Sequence, residues 1–65
     1  MKQFIEKMIA EETELNKKIV KADNVLSSNP YGIDEMGKHL LEKQVQAMKV
    51  YSDILHQRIN YEVEK

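Results

Sequence analysis

The chain is built from two long stretches with helical apolar periodicity, parted by one short break at Ser27-Ser28-Asn29-Pro30-Tyr31-Gly32. That plan leaves few folds open. Two helices joined by a short loop must run antiparallel, and a lone pair of helices cannot enclose its own apolar surface. The expectation is an all-α protein, an antiparallel two-helix hairpin that assembles into a helical-bundle homo-oligomer.

In the first stretch Met1, Ile5, Met8, Glu12, Leu15, Ile19, Ala22 and Leu26 follow alternating steps of four and three. All but Glu12 are apolar, which is a heptad seam. Phe4, Ile9, Val20 and Val25 widen the apolar surface beyond it. This predicts a helix over about 2–27. It should fade at Ser27-Ser28-Asn29, because a residue before proline is pushed out of the α region. A turn over 28–33 follows, then a second helix over about 34–63, where Asp34 and Glu35 suit a helix N-terminus.

The second helix carries two adjacent stripes. One is Leu40, Gln44, Ala47, Tyr51, Ile54, Arg58 and Tyr61; the other is Leu41, Val45, Met48, Ser52, Leu55 and Ile59. Two stripes need two partners. Helix 1 of the same chain supplies one, and another copy must supply the other. Size argues the same way, since chains this short rarely stabilise a core without disulfides, metals or self-association. There are no cysteines among the 65 residues, which removes disulfides and thiolate metal sites.

Ten Lys/Arg stand against eleven Asp/Glu, for a net charge of −1. Binding to duplex nucleic acid rests mainly on phosphate neutralisation, so that partner is not expected. A small anion held by a few placed cations fits the balance better. No run is apolar enough to span a bilayer, and an amphipathic helix stands where a leader would need an apolar core. No membrane partner is expected, and the chain reads as soluble.

Catalytic signatures are weak. Asp53-Ile-Leu-His56 has the carboxylate-x-x-histidine spacing of di-iron bundles, and Glu35 lies one turn before His39. The simpler reading places them as solvated residues on helix backs. Ser27, Ser28 and Ser52 lack a convincing histidine partner, and no Gly-rich phosphate loop is present. Glu12 reads as a register device within the seam. Gln44 and Arg58 mark either solvent-facing ends or a polar cavity between chains. Phe4, Glu11, Lys18 and Val25 form a line beside the first seam. Phe4 can stack on a planar group and Lys18 can meet an anion, although packing of Phe4 in an interface and snorkelling of Lys18 are the simpler account of these two residues. Fourteen helical residues separate these two by roughly 21 Å. A ligand touching both would need a pocket made by two copies.

Three segments together carry a family resemblance. They are Phe4-x-x-Lys7-x-x-x-Glu11-x-x-x-Leu15-x-x-Lys18-Ile19, Ser28-Asn29-Pro30-Tyr31, and the tract from Leu40-Leu41 through Gln44, Ala47-Met48, Tyr51-Ser52 and Ile54-Leu55 to Arg58-Ile59. The chain resembles the small phage-encoded sponges that act against CBASS, the bacterial cyclic-oligonucleotide-based antiphage signalling system. The resemblance implies a helical hairpin assembling into a homohexamer in the cytoplasm of the infected host. It implies sequestration of cyclic dinucleotides, and in some members cyclic trinucleotides, without cleavage. The host effector then receives no signal, which is immune evasion by binding alone. No enzymatic step, metal or cofactor is implied. The family pairs an aromatic near the start of helix 1 with a lysine further along. Lys18 matches the lysine; Phe4 stands where the family favours tyrosine. Lys7 would be an auxiliary cation one turn from Phe4, and Arg58 would serve a second anionic pocket. Two other readings are a structural or RNA-binding helical-hairpin module, disfavoured by the near-neutral charge, and a di-iron hairpin protein resting on Asp53 and His56.

Overall fold

The computed structural model describes residues 2–65; Met1, the expected first position of the seam, lies outside them. Two helices form, α1 over Lys2–Ser28 and α2 over Glu35–Glu64, and they pack on each other as a hairpin. The molecule is a rod 46 Å long and 16 by 13 Å across. A body two helices thick has one internal contact line and open surface everywhere else.

That line is the one the periodicity marks. Met8 packs with Leu55 and Ile59 near the open end, with Ile5 against them. Leu15, Ile19 and Val45 pack nearer the turn, with Ala22, Leu26, Leu41 and Met48 beside them. Leu55 is wholly buried. The α1 seam has therefore taken the Leu41–Ile59 stripe of α2 as its partner. The other stripe is left outside: Leu40, Tyr51, Ile54 and Tyr61 are 56, 44, 51 and 65% exposed, and Gln44, Ala47 and Arg58 are exposed as well. A row of large apolar side chains in water marks an interaction surface.

The turn is set by Asn29. Helix α1 continues through Ser28, one residue beyond the expected 27. The Ser28 hydroxyl donates to the Asn24 carbonyl at 2.9 Å and the Asn29 amide donates to the Val25 carbonyl at 2.7 Å. Asn29 then adopts the left-handed region, with φ of +45°, a conformation asparagine tolerates better than most residues. Its side chain clasps the far side of the turn, Nδ2 donating to the Ile33 carbonyl at 3.0 Å while Oδ1 accepts from the Ile33 amide at 2.7 Å. Gly32 has φ of +65°. Asp34 caps α2 rather than opening it, its carboxylate accepting from the Gly37 amide at 2.8 Å. That bond satisfies one of the helix's orphan N–H groups.

Candidate functional site

The two flanks of the hairpin differ in chemistry. On one flank three polar pairs bridge the helices. His56 Nδ1 lies 2.8 Å from Glu12 Oε2, the Ser52 hydroxyl donates to Asn16 Oδ1 at 2.8 Å, and Lys49 Nζ lies 3.8 Å from Asp23 Oδ2. Steps of four then seven on α1 meet steps of four then three on α2, so all three bridges stand on one edge of the seam. The hollow along this edge, about 310 Å³, is lined by polar groups largely engaged with one another, and Glu12 and Asp53 make it unfavourable to an anion. His56 is 60% exposed, as expected of a helix back, but it reaches across to Glu12. Asp53 and His56 gather no third ligand: no cluster of three His, Asp or Glu side chains suited to a metal occurs among the described residues.

The opposite flank is built otherwise. Near the turn it holds a groove of about 330 Å³ whose walls include Ala22, Val25, Ile33, Leu41 and Met48. Lys18, Lys21, Tyr31 and Gln44 complete the lining, and no carboxylate lies among the described lining residues. Neither lysine joins a salt bridge among the described residues. An apolar trough with two free ammonium groups and an amide suits a ligand with a flat apolar part and an anionic part. Its volume is at the lower end of ligand pockets, about 300 Å³ and above.

Gln44 belongs to the outward stripe of α2, so the groove opens onto the same flank as Tyr51, Ile54 and Arg58. The four residues expected to bind ligand are all exposed, and helical spacing puts them on this flank in two groups. Lys18 lies in the groove. Phe4, 45% exposed, is fourteen residues before it, roughly 21 Å away along the axis. Lys7 and Arg58 stand toward the open end with Phe4, because Met8 packs on Leu55 and Ile59. No single copy brings all four together. Tyr31 and Lys21 were not among the expected ligands. The signal for Lys21 was its three-residue step from Lys18, which keeps both on one face. Tyr31 gave none, since a turn residue has no helical period. A third hollow, about 570 Å³, runs along the outer face of α1 between Thr13 and Asn24 and carries no aromatic side chain.

The fold and groove define a small all-helical hairpin protein with an anion-compatible trough. The chain belongs to the Sequestin family, whose model matches residues 2–61. No match was found among curated proteins or among solved structures. The family's name implies a protein that holds a ligand rather than one that converts it. No helix among the described residues is long and apolar enough to cross a membrane.

Proposed function

We propose that this protein sequesters cyclic dinucleotides, and in a second class of pocket cyclic trinucleotides, without cleaving them. In an infected bacterial cytoplasm that would deny the CBASS effector its activating signal. The observation that carries the reading is Lys18, set beside Lys21 in an apolar groove with no carboxylate among its described lining residues, in a chain of the Sequestin family. Phosphates of the ligand would meet Lys18. A charge-assisted contact of this kind contributes about 1.5–3 kcal/mol.

The outward stripe of α2 lies on the flank where the groove opens, so copies joined through it would wall the groove on its open side. Self-association, to a hexamer by the resemblance, then completes the pocket rather than merely stabilising the fold. Such an assembly brings Phe4 of one copy toward Lys18 of another, which one hairpin does not do. Neither Lys7 nor Arg58 joins a salt bridge among the described residues; Lys7 would be an auxiliary cation beside Phe4, and Arg58 would serve the second anionic pocket. A symmetric, preorganised set of contacts binds a two-fold ligand with little ordering cost.

Titration calorimetry against a panel of cyclic di- and trinucleotides tests this. Binding with the ligand recovered intact, and weakened dinucleotide affinity in Lys18→Ala at unchanged oligomer size, is the expected result. Absence of binding across the panel would reject the reading.

A further inference from the structure

The groove that holds Lys18 already contains an aromatic side chain, and it is not Phe4. Tyr31 sits at the turn, 74% exposed, and lines the same groove as Lys18, Lys21 and Gln44. An exposed tyrosine ring in a turn has no packing role that accounts for its place. The backbone on both sides of it is nevertheless held by hydrogen bonds. Asn29, two residues before it, clasps the backbone of Ile33, two residues after it, through bonds of 3.0 and 2.7 Å. Gly32, next to Tyr31, donates its amide to the Asn29 carbonyl at 3.2 Å. Ile33 is itself a wall of the groove. The ring is thus presented by a braced turn at the end of a trough whose cations come from α1.

We infer that Tyr31 is the base platform of this groove and Lys21 its second phosphate ligand, so that each copy carries a half-site for one nucleotide unit. The inference rests on the cyclic-nucleotide reading above and deepens it. Any base presents a flat π-face, and stacking on an aromatic is tolerant of which base it is. Lys18 and Lys21 are three residues apart on one helix and so point to the same side. They can hold the phosphate on that nucleotide while Gln44 offers an amide to a base edge. Phe4, roughly 21 Å from Lys18 within one copy, reaches this groove only from a neighbour. Tyr31 and Lys18 need no neighbour to share it.

The chain contains no tryptophan, which makes the test direct. Tyr31→Trp introduces a single indole, whose emission reports stacking at that position. The full-length protein, as it assembles, is titrated with the tightest cyclic dinucleotide of the panel. Calorimetry on Tyr31→Ala, Tyr31→Phe, Lys21→Ala and Phe4→Ala runs alongside, with helicity and oligomer size checked for each. Saturable quenching in Tyr31→Trp is expected. Tyr31→Ala should lose roughly 5- to 150-fold in affinity, the span of one base–aromatic stack, while Tyr31→Phe retains it and Lys21→Ala weakens binding. Wild-type binding with Tyr31→Ala unchanged and no quenching in Tyr31→Trp would overturn the inference and leave the sequestration reading standing. A wild-type protein that binds no cyclic nucleotide overturns both.

Discussion

Glu12 and His56 meet across the hairpin, carboxylate Oε2 to ring Nδ1 at 2.8 Å, and their contact fills the one polar gap in the α1 seam. Met8 and Leu15 on either side of Glu12 are buried. A carboxylate between them is tolerated because the facing side of α2 supplies a donor rather than a leucine. The pair therefore reads the register, since sliding α2 by one turn removes His56 from Glu12. The Asn16–Ser52 and Asp23–Lys49 bridges agree with the same alignment.

Glu12→Leu should raise the melting temperature, because a polar residue at a seam position specifies register at a cost in stability. The same variant should give a broader distribution of species in size-exclusion chromatography with light scattering. A lower melting temperature would show that the bond to His56 outweighs the lost apolar burial. In a double-mutant cycle the coupling of Glu12 and His56 should be about 0.2–1 kcal/mol, since His56 is largely in water.

Among the described residues Leu55 is the one side chain with no exposure, and it packs with Met8 and Ile59. Leu55→Ala should cost about 2–5 kcal/mol. A core this small holds little in reserve, so most helicity should be lost at 25 °C by circular dichroism. A variant that stays fully helical and melts near the wild type would mean that the stability comes from between copies, not from this contact.

Asn29→Ala removes both bonds to Ile33 and leaves an alanine at φ of +45°. Two hydrogen bonds at about 0.5–1.5 kcal/mol each, with about 1–2 kcal/mol for the left-handed backbone, predict a loss of about 2–5 kcal/mol by urea denaturation. Asn29→Gly relieves only the backbone strain and should recover part of that. Equal losses in the two variants would place the whole effect in the side-chain clasp.

Ile54 stands in the middle of the outward stripe at 51% exposure. Ile54→Lys adds a charge there without touching the intrachain core. If copies join through this stripe, sedimentation should show a smaller species than the wild type, and dinucleotide affinity should fall with it. An unchanged mass would move the interface elsewhere on the rod.

Helix periodicity determined a great deal here. The seam from Ile5 to Leu26 and the stripe from Leu41 to Ile59 are each a property of one helix, so local spacing was enough to name them. The break was equally local, because Pro30 restricts Asn29 and Gly32 can adopt positive φ. Spacing also set Phe4 and Lys18 beside the α1 seam, with Lys7 one turn from Phe4, and put Arg58 within one stripe of α2. It did not choose between the two stripes of α2, which are similar in apolar content. That choice belongs to the tertiary structure: the left-handed Asn29 and its clasp on Ile33 set how α2 returns, and Glu12, Asn16 and Asp23 find donors only when the Leu41–Ile59 stripe faces inward. The same choice put Tyr31 and Gln44 beside Lys18. A residue's period on its own helix carries no information about what the other helix, or the turn, brings next to it.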